Sequence, residues 1–131
     1  MGRGFSYEST NTTNVGVYGT LKRGFHNHDV LGNSPLIDDG WIRGLSLYDL
    51  GPFPGARRAT YESLIYVEVY AVSPSTLQAL DELEGFLPNQ PESSLYIREL
   101  LFLESGPSCW VYLYNQSIEG AQAIVEGVWP N

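Results

Sequence analysis

Apolar and polar residues alternate along several short stretches of this chain, and that alternation predicts strands. The clearest stretch is "SLIYVEVYAV", in which both alternating sets are largely apolar or aromatic, as in a central strand with two semi-buried faces. "NVGVYGTL" predicts another strand that enters a glycine turn. "LYIRELLFLES" and "CWVYLYN" are separated by "GPS" and predict a hairpin.

One stretch follows the helical period instead. "SPSTLQALDELEG" has Ser73 or Ser75 as the N-cap, Pro74 in the first turn and Gly85 as the stop signal. Elsewhere, "WIRGLSLYDL" predicts a strand, and the proline-rich "GPFPGA" after it predicts a loop. About six short strands with one convincing helix predict an α+β domain, with a mixed, strongly curved β-barrel and short flanking helices.

Length and composition fit a single domain. A chain of 131 residues buries one core, and 13% aromatic content with nine Tyr favours a β-rich fold. We predict a flexible N-terminal tail over residues 1–13, which is polar, and a compact domain over residues 14–131. The tail has no apolar run that predicts a signal peptide or a membrane span, so the expected location is cytoplasmic.

The charge and the cysteine content limit the classes of partner and metal site that the sequence predicts. The net charge is −8 and the pI is near 4.5, which argues against nucleic acid, because nucleic-acid-binding proteins carry a basic face. Cys109 has no second cysteine to pair with, and no Cys/His set has metal spacing, so neither a disulfide nor a metal is predicted. The sequence leaves the oligomeric state open.

Three carboxylates crowd into "LDELEG", and helical geometry separates them. On a helical wheel Glu84 falls between Leu77 and Leu80 on the apolar stripe, Glu82 faces away from it, and Asp81 lies at its border. Burial disfavours the charged form, so the pKa of Glu84 is predicted to be raised, as in a general acid/base. The structural alternatives are a Glu84 carboxylate that pairs with a buried arginine such as Arg98, or one that reaches water because the helix frays at Gly85.

The glycine turn in "VYGTLKRG" is the second candidate for chemistry. The backbone N–H groups of Gly19, Thr20 and Leu21 could form a nest for a carboxylate or an oxyanion, although an ordinary strand-ending turn has the same sequence. Several tyrosines, Tyr48 and Tyr96 among them, either line a polar-aromatic pocket or fill a β core.

Taken together, these motifs resemble the γ-glutamyl cyclotransferase-like superfamily. The resemblance rests on "VYGTLKRG", "LYDLGPFPGA", "VEVYAV" before "LDELEG", "YIRELL", "CWVYLYN" and a terminal "EGVW", which cover nearly all of residues 14–129. Thr20 and Leu21 are similar to the γ-glutamylamine cyclotransferase and AIG2-like branches, where the glutathione-pathway branch has Ser-Asn.

The resemblance implies a function and a set of site residues. Members of the superfamily cyclise a γ-glutamyl compound to 5-oxoproline and release an amine, with no cofactor and with a catalytic glutamate that matches Glu84. The resemblance places the glutamyl part of a small substrate on the turn formed by Tyr18, Gly19, Thr20 and Leu21. Tyr48 and Tyr96 are secondary predictions for positioning the substrate, and residues 51–55 for covering the cavity.

Two other functions remain open at this point. One is a binding or interaction module that keeps the cavity without catalysis. The other is a hydrolase in which Glu84 activates water. Glu84 on an apolar stripe favours catalysis, because a pure binder does not need a carboxylate there.

Overall fold

The structure is a computed structural model that describes residues 11–130. Two single-turn 3₁₀ helices, His28–Leu31 and Pro91–Ser93, lie in its loops. The main elements in chain order are β1 (Thr13–Val17), β2 (Leu36–Arg43), β3 (Leu45–Asp49), β4 (Pro54–Arg58), β5 (Leu64–Val72), α1 (Pro74–Leu83), β6 (Tyr96–Phe102), β7 (Ser108–Tyr114) and β8 (Gln122–Ile124).

The strands form two sheets, which we call the large and the small sheet. The large sheet has the order β2-β5-β1-β7-β6, and the small sheet has the order β4-β3-β8. Only β1 and β7 run parallel, so the large sheet is mixed and the small sheet is antiparallel. The predicted α+β class, the central position of β5 and the β6–β7 hairpin are confirmed.

The predicted barrel is not confirmed in the part of the chain that the structure describes. Residues 11–130 form two open sheets with no closed ring of strands. The small sheet packs on one face of the large sheet, and the cluster between them includes Leu47, Ala56, Val67 and Val111. Of the predicted tail, residues 1–10 lie outside the described residues, and Thr13 already begins β1.

Strand β4 was missed in the sequence, and β2 was predicted only from Trp41 onward, as part of one strand that the structure divides at Gly44. Strand β2 begins at Leu36, but Asp38, Asp39 and Gly40 interrupt its apolar alternation, and a register shift follows Leu36. Strand β4 begins at Pro54, inside the stretch predicted to be a loop. Proline is tolerated there because Pro54 is the first residue of an edge strand, where its missing N–H breaks no essential ladder bond.

The predicted helix is confirmed, and the structure selects Ser73 as its N-cap. The Ser73 hydroxyl accepts from the Thr76 N–H at 3.2 Å, Pro74 is the first helical residue, and Gly85 follows the C-cap with φ +67°. Helix α1 packs on the other face of the large sheet through Leu80, in a cluster that also contains Val15, Val17, Tyr96 and Tyr112. The end of α1 therefore lies above the C-terminal end of β1.

Candidate active site

A cavity of about 250 Å³ lies where β1, the end of α1 and the segment leading into β4 meet. It contains most of the residues predicted for the site, drawn from four separate parts of the chain. Its lining residues are Gly16, Val17, Tyr18, Gly19, Thr20, Leu21, His26, Asn27, Pro52, Phe53, Pro54, Leu83, Glu84, Leu95, Tyr96 and Tyr112.

The turn after β1 presents backbone donors to this cavity. The N–H groups of Gly19, Thr20 and Leu21 have no hydrogen-bond partner among residues 11–130, although all three residues line the cavity. The turn is held from behind: the Asn27 N–H donates to the Thr20 carbonyl at 3.0 Å, and the Asn27 side-chain amide donates to the Thr20 hydroxyl at 2.9 Å. Such successive N–H groups suit a carboxylate or an oxyanion.

The turn approaches Pro54 so closely that position 19 has no room for a side chain larger than that of glycine. A β-carbon on Gly19 would lie 2.9 Å from both Cδ and Cγ of Pro54, whose carbonyl accepts from the Tyr96 hydroxyl at 2.8 Å. We expect Gly19→Ala to lower the free energy of unfolding by about 1–3 kcal/mol through overpacking, and to raise KM by moving the turn. Chemical denaturation and initial-rate kinetics measure both effects.

Gly40 provides the matched control for that substitution. A β-carbon on Gly40 would meet its nearest neighbour at 3.8 Å, which is ordinary contact. We expect Gly40→Ala to stay within about 0.5 kcal/mol of the wild type and to leave KM unchanged. Equal effects at Gly19 and Gly40 would show that the Pro54 contact is unimportant.

Glu84 is the isolated acid of the cavity. It is the C-cap residue of α1, and within the described residues its carboxylate has neither a hydrogen-bond donor nor an ion-pair partner. Burial raises the pKa of Glu84 to about 7. The carboxyl can therefore hold or release a proton near neutral pH, as a general acid/base must.

Arg98 pairs with a different carboxylate from the one considered in the sequence. Its guanidinium donates to both oxygens of Asp81, at 2.8 and 3.1 Å, and the Tyr112 hydroxyl donates to the same carboxylate at 2.5 Å. The proposed Glu84–Arg98 pair is therefore wrong. Asp81 ties α1 to β6 and β7, whereas Glu82 is exposed to solvent, as the helical wheel predicts.

The cavity tyrosines are held by internal hydrogen bonds. The Tyr18 hydroxyl donates to the Tyr112 carbonyl at 2.6 Å and accepts from the Ala56 N–H at 3.0 Å. Burial, and then the proximity of Glu84, raises the pKa of Tyr96. The tyrosine rings therefore form neutral walls of the cavity, and their hydroxyl protons are already donated in hydrogen bonds within the protein.

Not every predicted site residue lies in the cavity. Tyr48 is on β3 and points away from the face of the buried Leu47, so it lies outside the lining. Pro52 and Phe53 do line the cavity, from the segment predicted to cover it. The alternation along a strand indicates that Tyr48 and Leu47 are on opposite faces of the sheet. It does not show which of the two faces is next to the cavity.

Several lining residues had not been predicted for the site. His26 and Asn27 enter through the loop after the turn, and Leu95 enters from the segment before β6. Leu83, the last residue of α1, is 41% exposed and also lines the cavity. The exposed leucine next to Glu84 had no separate signal in the sequence.

Among residues 11–130, no group of three or more His, Cys, Asp or Glu side chains is arranged to hold a metal ion. Over the same residues, no helix has the length and apolar character needed to cross a bilayer. Cys109 is fully buried and its burial raises the pKa of its thiol to about 11, which fits the structural role expected for it.

Comparison with known families agrees with the resemblance seen in the sequence. A family model described as gamma-glutamyl cyclotransferase, AIG2-like matches residues 15–131. The chain therefore belongs to the AIG2-like γ-glutamyl cyclotransferase family, which the combination of the glycine turn and the glutamate-ended helix had predicted.

Individual relatives are similar to this chain over most of its length. The gamma-glutamylcyclotransferase family protein YtfP of Escherichia coli K12 is 32% identical over 113 residues, covering 86% of this chain and 92% of that protein. The gamma-L-glutamyl-butirosin B gamma-glutamyl cyclotransferase of Niallia circulans is 35% identical over 107 residues, covering 79% and 67%. The solution structure of E. coli YtfP superposes with a TM-score of 0.68 at 31% identity, covering 91% and 97%.

Proposed function

We propose that the protein converts a γ-glutamyl amide to 5-oxoproline and a free amine. The observation that carries this proposal is the cavity itself, in which an isolated carboxyl with a pKa raised to about 7 faces a turn with partner-free N–H donors. Family membership supports the same reaction. Glu84 is the proposed catalytic residue, and Gly19, Thr20 and Leu21 are the proposed binding residues.

The reaction is an intramolecular acyl transfer. The α-amino nitrogen of the substrate attacks its own γ-carbonyl carbon, a C–N bond forms, and the bond to the leaving nitrogen breaks. Both reactants belong to one molecule, so the protein contributes orientation and electrostatic stabilisation and needs no nucleophilic side chain. The proposed turn donors hold the glutamyl oxygens while the negative charge develops.

Glu84 supplies the proton transfers in this proposal. As a carboxylate it accepts a proton from the substrate ammonium, and the free amine so formed attacks; as a carboxylic acid Glu84 returns that proton to the leaving nitrogen. The attacking nitrogen loses a second proton as it becomes the lactam N–H, and this proton also ends on the released amine, which leaves as an ammonium ion. Two protons are thus transferred from one nitrogen to the other, and Glu84 is a carboxylate again at the end of each cycle. A pKa near neutrality suits both steps, because neither protonation state is far from the working pH.

We expect kcat/KM to fall as the pH drops below about 7. The free enzyme must carry Glu84 as a carboxylate, and burial raises the pKa of that group from its ordinary 4.5 to about 7. The acid limb of the pH–rate profile should therefore have an apparent pKa near 7. The residual activity of Glu84→Gln should lack this limb. An acid limb near 4.5 in the wild type would contradict a desolvated catalytic carboxyl.

The substrate panel for this test contains γ-glutamyl amino acids, γ-glutamyl alkylamines and γ-glutamyl-ε-lysine. The products to be quantified are 5-oxoproline, free glutamate and the released amine. Stoichiometric 5-oxoproline and amine are expected. Free glutamate in place of 5-oxoproline would assign a hydrolase, and saturable binding without either product would assign a binding module.

A further inference from the structure

Two partly exposed leucines flank the candidate catalytic carboxyl. Leu83 is 41% and Leu95 is 39% exposed, yet both line the cavity that contains Glu84. Single exposed leucines are common on protein surfaces and need no explanation. These two differ because each is fixed directly beside the group proposed to transfer the proton.

The backbone fixes both leucines next to Glu84. Leu83 precedes Glu84 and is the last residue of α1. Leu95 is held against the end of the helix, because its N–H donates to the Gly85 carbonyl at 3.0 Å. A β-carbon on Gly85 would lie 3.1 Å from the Leu95 β-carbon, which shows how closely the two segments pack.

The proposed chemistry determines what those leucines contact. Glu84 must lie within hydrogen-bond reach of the leaving nitrogen in order to protonate it. The substituent on that nitrogen therefore lies next to the Glu84 carboxyl and contacts the residues that surround this carboxyl. Leu83, Leu95 and Phe53 line the cavity together with Glu84.

We propose that Leu83, Leu95 and Phe53 form a subsite for an uncharged, apolar substituent on the leaving amine. The inference rests on the proposed cyclisation and assigns its substrate class: γ-glutamyl amides of alkyl or aryl amines. The apolar residues exclude water from the substituent, and they also contribute to the desolvation of Glu84.

The charges around the cavity exclude the competing class. No Lys or Arg occurs among the described residues that line it, and the Lys22 ammonium instead donates to the Trp129 carbonyl outside the cavity. A γ-glutamyl amino acid would place a second carboxylate against two leucines and close to Glu84, where the described lining has no Lys or Arg and its one basic side chain is the exposed His26. Burial of such an unpaired charge is unfavourable. The chain's net charge of −8 also disfavours the binding of an anionic substituent.

The test is a homologous substrate series. We would measure kcat/KM for 5-oxoproline release from γ-glutamyl methyl-, ethyl-, butyl- and hexylamide, and from γ-glutamylglycine as the anionic comparison. Each methylene that enters the subsite should raise kcat/KM roughly three- to fourfold until the subsite is filled. γ-Glutamylglycine should react roughly 10- to 100-fold more slowly than the butylamide, since an apolar pocket discriminates by factors of this order.

Serine variants assign the effect to the leucines. Leu83→Ser combined with Leu95→Ser should flatten the alkyl series while changing the methylamide rate least. Leu100→Ser is the matched control, because Leu100 is 49% exposed on β6 and lies outside the cavity lining. It should retain the full slope of the series. If the double variant does not fold, the rates of the wild type on the alkylamide series and on γ-glutamylglycine are sufficient to test the apolar subsite.

The outcomes separate this inference from the proposed function. 5-Oxoproline release with a flat alkyl series, or with γ-glutamylglycine as the better substrate, would overturn the apolar subsite and leave the cyclisation intact. Loss of the same factor on every amide in the double variant would assign the leucines a structural role only. No 5-oxoproline from any substrate would instead refute the cyclisation on which the subsite rests.

Discussion

Replacing Glu84 with glutamine is expected to lower kcat by about 10²- to 10⁴-fold, the usual contribution of a positioned general acid/base. Glutamine has nearly the same shape as glutamate but cannot shuttle a proton. Since the carboxylate has no partner among residues 11–130, the substitution breaks no ion pair or hydrogen bond described there. Activity should therefore fall without loss of the fold, as measured by initial rates and circular dichroism.

The same substitution makes a second prediction about stability, and its sign follows from the pKa of Glu84. The pKa is about 7 in the folded protein and near the ordinary 4.5 in the unfolded chain. Between these values the folded state retains a proton that the unfolded state has lost, so stability decreases as the pH rises through that window. The full cost above pH 7 is on the order of 3 kcal/mol.

Glu84→Gln removes this titration. The free energy of unfolding of the variant, relative to that of the wild type, should rise by about 3 kcal/mol from pH 4.5 to about pH 8. Urea denaturation at a series of pH values measures the difference. A difference that does not change with pH would show that the folded environment does not raise the pKa of Glu84.

Asp81→Asn is expected to have the opposite pattern, with a large loss of stability. Asp81 accepts two hydrogen bonds from Arg98 and one from Tyr112, and the side chains of Asp81 and Arg98 are only 13% and 18% exposed. Removal of one charge leaves a mostly buried guanidinium unpaired. Breaking such pairs costs about 3–5 kcal/mol when burial is complete, so about 2–4 kcal/mol is expected here.

Denaturant unfolding of Asp81→Asn and Glu82→Gln measures this prediction with an internal control. Glu82 is exposed, and its neutralisation should change stability by less than about 0.5 kcal/mol. The three carboxylates of one helix should thus have different effects: neutralising Asp81 lowers stability, neutralising Glu84 removes most activity and raises stability above about pH 7, and neutralising Glu82 changes neither. Unchanged stability in Asp81→Asn with a loss of activity as large as that of Glu84→Gln would transfer the proton-carrying role to Asp81.

The helix and its carboxylates were predictable because helical periodicity is local. The spacing of Leu77, Leu80 and Glu84 orients the acid toward the interior, and the raised pKa follows from burial alone. Capping residues at both ends define where the helix begins and ends, and the structure agrees at Ser73 and Gly85.

Non-local pairing limited the rest of the prediction. Alternation predicts a strand but carries no information on its neighbours, so the parallel contact of β1 with β7 and the division into two open sheets could not be inferred. The same limit applies to Arg98: its position on β6 places it beside Asp81, while Glu84, one turn further on, faces the cavity. Tyr48 lies outside the cavity lining for the equivalent reason, since its strand belongs to the small sheet.

The apolar surroundings of Glu84 also depend on tertiary structure. Leu83 and Leu95 are twelve residues apart in the chain and meet only because Leu95 is anchored to Gly85 at the helix end. Leu83 is exposed because the helix ends there. The leaving-group subsite therefore emerges from the packed structure and not from a motif.

The most direct test of Glu84-dependent cyclisation is the yield of 5-oxoproline from γ-glutamyl butylamide with the wild type, Glu84→Gln and Glu82→Gln at pH 7 and equal concentrations of folded protein. We expect equimolar 5-oxoproline and butylamine from the wild type and Glu82→Gln, and an initial rate at least about 100-fold lower with Glu84→Gln. Equal rates in all three proteins, or glutamate as the product, would contradict Glu84-dependent cyclisation.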